Sequence, residues 1–239
     1  MKSSLIVILS VLLLVSCKSN SANVIKGNGK VVSTEMRIND YSQLIVNGSC
    51  EVVYEQKTSS KPYLRYEIDQ NLVDNVNIKV KGNKLIIGTR GSFSKVSKFK
   101  VYTNSSHLQE VKLTGSSYTT IKKTLNTSQL DIFISGSGRV KADKLKCNSV
   151  NVSLSGSGST ILNGETYYSQ LKVSGSGEID AFSLKTKNTT CKVAGSGSAK
   201  IHVTDNLESR ISGSGNIFCK GKPKRVDNKA TGSGKLKME

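Results

Sequence analysis

Two histidines, five cysteines and a thin scatter of carboxylates make up the metal-ligating and nucleophile-activating inventory of this chain. His107 and His202 have no cysteine or carboxylate at ligand spacing, so each is expected as a strand or surface residue. The stretch "ATGSGKLK" hints at a phosphate loop, which needs a glycine four residues before its Gly-Lys pair and a hydroxyl after it. Lys229 stands where the first glycine belongs and Leu236 where the hydroxyl belongs, so that reading fails. Serine is abundant, but nothing places it with a histidine and an acid as a nucleophile would need. Asp131, Asp143, Glu165, Glu178 and Asp180 are scattered. A glycan-degrading enzyme, with Lys or Arg and acids in a groove, stays as the lesser alternative to a protein that is not an enzyme. No catalytic, cofactor or metal residue is assigned.

Cys17 is a different case. Lys2 precedes an apolar run from Leu5 to Val15, and Leu14-Val15-Ser16-Cys17 follows the pattern of a lipobox. Such a run is too short for a comfortable membrane span, which needs roughly 20 apolar residues, and fits a secretion signal. Residues 1–16 are therefore expected as a lipoprotein signal peptide and Cys17 as the lipid-bearing residue. Residues 17–29, polar and without periodicity, are expected as a flexible tether. The expected location is exported, lipid-anchored and outer-membrane, with the face left open. The membrane is then one partner, held through Cys17. Cys50, Cys147, Cys191 and Cys219 fall in four different phases of the repeat below, so buried thiols are expected rather than stacked disulfides.

The formal charge is +18, from 35 Lys and Arg against 17 Asp and Glu. Lys141, Lys144, Lys146, Lys172, Lys185, Lys187, Lys192 and Lys200 lie between inward positions and should point outward. The cluster Lys220, Lys222, Lys224 and Arg225 should do the same. Such a field could attract an anionic glycan or another envelope component. The competing reading is that lysine keeps strand edges soluble and unpaired, leaving self-association as a further option. No nucleic acid is expected, because Tyr63, Tyr66, Tyr167 and Tyr168 form no aromatic series among the basic residues.

What must position these side chains is a repeat. Gly-Ser-Gly begins at Gly136, Gly156, Gly175, Gly195, Gly213 and Gly232, at spacings of 20, 19, 20, 18 and 19 residues. Degenerate copies begin at Gly115 and Gly48. Alternating apolar residues flank each triplet, as in Leu171 and Val173 before Gly175 and Ile179 and Ala181 after Gly177. Period two places these side chains on one face, and each unit has too little apolar surface to fold alone. The fold expected is all-β: a parallel β-helix or β-solenoid with ~20-residue coils and Gly-Ser-Gly corners. Two or three short strands should make each unit, with the serine hydroxyls free to bond between coils. The first glycine occurs in all eight copies and the second in six, so the first is expected to carry the special backbone geometry. No acidic column follows the triplets, which excludes a calcium-binding nonapeptide repeat. Residues 108–239 have room for roughly six coils, or about 30 Å of stack at ~4.8 Å per strand.

Residues 30–107 are expected as an N-terminal β part. "LIVNGSCEVV" is an early coil, and "VNIKVKGNKLIIG" is a hairpin turning at Gly82-Asn83. Asp69–Asn75 suits one helical turn. The antiparallel hairpins between Glu55 and Tyr102 are expected as an insertion that caps the stack.

The pattern resembles the bacterial family described as putative auto-transporter adhesin, head GIN domain. The resemblance rests on "SQLIVNGSCEVVYEQ" at 42–56, the "SGSG" series, and "CKGKPKRVDNKATGSGKLK" at 219–237, and covers roughly residues 37–237. It implies stacked β-helical coils, a lipoprotein or secretion signal, and an origin such as Bacteroidota. It brings no catalytic or binding residue. The function expected is a non-enzymatic envelope lipoprotein acting as an adhesin or binding module with a repetitive basic surface. The alternative is a structural or assembly scaffold without a soluble ligand.

Overall fold

The computed structural model describes residues 24–58 and 61–239; the expected signal peptide and Cys17 lie outside them. In chain order the strands begin with β1 (Val24–Lys26), β2 (Val31–Arg37), β3 (Gln43–Gly48), β4 (Glu51–Gln56) and β5 (Tyr63–Asp69). After a 3-10 turn at Gln70–Asn75 come β6 (Val76–Lys81), β7 (Lys84–Thr89), β8 (Ser92–Ser94), β9 (Phe99–Ser105) and β10 (Glu110–Gly115). The long strands are β11 (Tyr118–Gly136), β12 (Arg139–Gly156), β13 (Ser159–Gly175), β14 (Glu178–Gly195) and β15 (Ser198–Gly213). The chain finishes with β16 (Asn216–Lys220), β17 (Arg225–Thr231) and β18 (Leu236–Met238).

Each long strand runs from one Gly-Ser-Gly corner to the next and pairs in parallel with its copy in the neighbouring coil. The molecule is the expected β-solenoid. The two or three short strands expected per unit are instead one strand bent midway, where the register slips between Ile121 and Thr124, Ala142 and Leu145, and Ile161 and Asn163. A slip of this kind bends a strand without ending its pairing. Alternation supplies the core as columns. Leu85, Leu44, Val111, Ile132, Val152, Leu171 and Cys191 lie in one register file, and all are buried.

Apart from β8, which pairs with β1 in a separate two-stranded sheet, the N-terminal part is woven into the same sheet. The hairpin of β6 and β7 turns at Gly82-Asn83 as expected, and the helical turn is present. The segment expected as an insertion does more than cap, however. β7 lies parallel to β3, and β9 lies parallel to β4, so together they form a coil outside the earlier one. Beyond it, β2, β5 and β6 pair antiparallel and close that end. The tether expected to reach residue 29 is also corrected. Val24–Lys26 pair in parallel with β8, the Gly27 N–H donates to the Ser94 carbonyl, and Ile25 packs on the core. Two apolar residues are too few to show periodicity. Asp69, fully buried, accepts from the N–H groups of Gly29 and Ser97 and ties this entry to the loop after β8.

The corners explain the triplet. All eight first glycines have φ between +102° and +115°, a region essentially closed to residues with a Cβ. From Gly115 to Gly232, a Cβ at each would also sit 2.5–2.8 Å from the carbonyl oxygen of the corner below. The second glycines have no positive φ, yet they too are needed: a Cβ on Gly177 would stand 2.7 Å from the Gly158 oxygen. The corners are laced by backbone, not by the expected hydroxyls. The N–H of Ser137, Ser157 and Ser176 each donates to the first-glycine carbonyl of the coil below at 3.0 Å.

Gly48 offers an internal control, because its φ is +102° but nothing lies within 4 Å of its missing Cβ. Gly48→Ala should cost about 1–3 kcal/mol from backbone strain alone. Gly175→Ala adds the clash with the coil below and should exceed about 4 kcal/mol. Urea unfolding of the two variants tests this, and equal losses would contradict the close-approach argument.

Candidate functional site

The sheet face leading into each corner alternates strictly, so every second side chain leaves the core. Two outward columns on this face carry amides, hydroxyls and acids. One runs Gln129, Ser149, Tyr168, Asn188, Asn206; the other runs Asp131, Asn151, Gln170, Thr190, Glu208. They bond across coils as well as within them. Asn151 donates to Asp131 at 2.7 Å, Asn206 to Asn188 at 2.6 Å, and Gln129 to Asp131 at 2.8 Å. Amides fixed this way keep further donors and acceptors directed outward.

Two aromatic rings stand on this face, Tyr168 within the first column and Phe133 one outward position beyond the second. Tyr168 is 54% exposed and Phe133 is 41% exposed. Tyr168 is held by an edge-to-face contact with Tyr167, centroids 4.4 Å apart. Two shallow hollows join the rings: one of about 390 Å³ lined by Tyr168, Asn188, Asn206 and Gln170, the other of about 340 Å³ lined by Phe133, Asp131 and Lys172. Asn151 and Gln170 line both, making one trough. Phe133 lies four residues along and two strands across from the position of Tyr168, so the rings stand about 16 Å apart. An aromatic face carries negative quadrupole charge and attracts weakly positive C–H groups. Rings flanking fixed amides suit a polyhydroxylated chain with C–H faces.

A larger cavity of about 860 Å³ opens where the loop after β7 swings away from the corner file. It is lined by Ser49, Cys50, Ser116, Phe93, Lys95 and Lys98 among others. Of its aromatic residues, Phe93 and Phe99 pack against the core and Tyr118 is half-buried, and Lys98 is paired with Glu67 at 2.6 Å. It offers no free ring face comparable to Tyr168.

The glycines expected as the structural signature stand in one file, as described. The lysines expected outward divide into two groups. Lys200 pairs with Glu178 at 2.9 Å, and Lys224 with Asp205 at 2.7 Å. Lys146, Lys185 and Lys187 line clefts beside Glu165 and Thr166, and Lys187 stands 4.9 Å over the Tyr167 ring. His202 is held below the usual histidine pKa by partial burial, then by Lys220 and Lys185. Among the described residues no three His, Cys, Asp or Glu side chains group as a metal site would require. The trough residues Phe133, Asn151, Gln170, Asn188 and Asn206 were not singled out from sequence. Writing the repeats beneath one another would have shown the amide columns.

Cys50, Cys147, Cys191 and Cys219 are free thiols. Burial pushes Cys50 and Cys191 up to about 12 and Cys219 up to about 11. Cys147 is raised by burial too, but it is only half-buried and borders a cleft. The thiolate is the reacting form. Iodoacetamide at pH 8 should therefore modify Cys147 first among the four, with Cys50, Cys191 and Cys219 protected until urea is added. Peptide mapping checks this, and labelling of native Cys191 at the rate of Cys147 would contradict it.

A rod of stacked coils with a filled interior, offering outer faces and shallow troughs, defines a β-solenoid repeat module. The chain belongs to the family described as putative auto-transporter adhesin, head GIN domain, whose profile matches residues 40–223. Among solved structures, a putative adhesin from Bacteroides fragilis shares the fold with a TM-score of 0.86 at 24% identity, covering 90% of this chain and 100% of that one. A putative adhesin from Parabacteroides distasonis is 31% identical with a TM-score of 0.74, covering 91% and 100%. A third, a putative lipid binding protein from Parabacteroides distasonis, is 28% identical with a TM-score of 0.76, covering 90% and 99%. Among curated proteins none matches the chain.

Proposed function

We propose that this protein is a non-enzymatic envelope module, anchored by lipid at Cys17 in the outer membrane, that binds a surface saccharide along the trough between Tyr168 and Phe133. The observation that carries the reading is two exposed rings joined by columns of fixed amides on an otherwise regular face. The family's description as an adhesin supports a role in surface contact. Lysines such as Lys172 at the trough's margin add attraction for anionic chains. Several acidic groups are already committed, which favours binding over bond cleavage: Asp131 accepts from Gln129 and Asn151, and Glu178 pairs with Lys200. One relative's name speaks of lipid binding. An acyl chain would need an apolar cavity, whereas the solenoid interior here is filled by Leu, Ile and Val columns.

A glycan array probed at two salt concentrations tests the saccharide. Retention should survive high salt for neutral glycans and weaken for anionic ones, and Tyr168→Ala should lower both at least tenfold. No retention at either salt, or retention unchanged in Tyr168→Ala, overturns the trough. The anchor is tested separately: Cys17→Ser should move the protein from the membrane fraction to the soluble fraction, and continued membrane association would contradict it.

A further inference from the structure

The two ends of the stack are finished differently. At one end β2, β5, β6 and the 3-10 turn close over the core, and Leu72 of that turn is buried. At the other end β17 pairs only with β15, and β18 pairs only with β16. The outer edge of β17, seven residues long, carries no strand among the described residues. The apolar columns also end in the open there. Val226 continues the column of Leu207 and is 44% exposed, and Met238 continues that of Cys219 and is 50% exposed. A parallel edge of this length is a template for another strand.

The charge order along β17 identifies which strand fits. Its outward side chains are Arg225, Asp227, Lys229 and Thr231; its inward ones are Val226, Asn228 and Ala230. Two copies related by a two-fold axis must pair this strand antiparallel to itself. Centred on Asn228, the pairing sets each Asp227 opposite a Lys229 and each Val226 opposite an Ala230. It makes two Asp–Lys pairs, each through an aspartate that Arg210 of its own chain already holds at 2.8 Å on one oxygen, and covers both valines. Centred on Asp227, it opposes two aspartates and sets Arg225 against Lys229; centred on Lys229, it opposes two lysines. Centred on Val226, it sets Arg225 opposite Asp227 but pairs only the first three residues of the strand with one another, whereas the Asn228 register pairs all seven. Like charges directly opposite are destabilising, so the Asn228 register is the favoured one. The central amides suit each other as well. Asn228 accepts from Ser209 and retains its amide hydrogens for its own copy.

We infer that the open end of the solenoid is a self-association surface, and that a second copy of this chain docks there through antiparallel β17 strands centred on Asn228. The capped end stays free, so the assembly closes as a dimer instead of growing into a fibre. The interface lies at the rim of the last coil and is independent of the trough.

Directly opposite residues of an antiparallel pair have Cα atoms about 4.5–5.5 Å apart, within the reach of a disulfide. The full chain carrying Asn228→Cys, oxidised mildly in isolated membranes, should therefore run at twice the apparent mass on a non-reducing gel. Arg225→Cys, whose two copies would lie about 20 Å apart across the axis, should remain monomeric, as should the unsubstituted chain. Adding Asp227→Lys to Asn228→Cys should cut the cross-linked fraction several-fold, and Lys229→Asp on top should restore it. No dimer from Asn228→Cys, equal dimer from Arg225→Cys, or no rescue by the charge swap overturns the inference. Sedimentation of the detergent-solubilised unsubstituted chain gives a check free of any substitution: a dimer is expected, and a monomer at micromolar concentration counts against it.

Discussion

Everything in this molecule depends on how closely one backbone corner can sit on the next. Strands in adjacent coils are spaced by their hydrogen bonds, at ~4.8 Å. Along a straight strand the side chains leave to either face and never meet that limit. At a corner the backbone turns, and a Cβ would point into the carbonyl of the coil below. Removing the side chain at two positions per coil resolves the conflict, so the glycines are a condition of stacking. The serine between them faces outward, and its N–H completes the backbone ladder through the bend.

The same limit explains how the repeat varies. Cys50 and Ser117 hold the second corner position in the two copies nearest the cap. Below Cys50 the chain leaves the file along the loop after β7, so a side chain has room there. Ser117 is buried and turns its hydroxyl to the Gly48 carbonyl. Further along the stack a Cβ would meet the carbonyl below at 3.1 Å for Gly138, 2.8 Å for Gly158 and 2.7 Å for Gly177. The motif is loosest where the stack is least confined.

This also separates what the sequence disclosed from what it hid. Columns repeating every twenty residues are legible, because Leu171, Val193 and their copies recur in phase under one geometric rule. The early coil at Leu44–Tyr54 was legible for the same reason. The parallel coil of β7 and β9 was not, since its corner is replaced by residues 90–98, which hold β8 and no triplet, and its partners lie roughly forty to fifty residues upstream. The pairing of Val24–Lys26 was invisible because three residues show no period. The trough was hidden differently: outward positions tolerate any polar residue, so Asn151 or Gln170 means little until its neighbours in space are known. Charge counts blurred it further, because acids such as Glu178 and Asp205 answer particular lysines.

The coil formed by β3 and β4 lies between β7–β9 on one side and β10–β11 on the other, although both of those come later in the chain. Chain order and stacking order therefore part company at the start. The coil of β3 and β4 is thus flanked on both sides by later segments, whereas from β12 onward each coil rests on its immediate predecessor in the chain. A coil in the middle of the stack is one layer in a local series, whereas residues 43–56 supply the pairing edges for both β7–β9 and β10–β11.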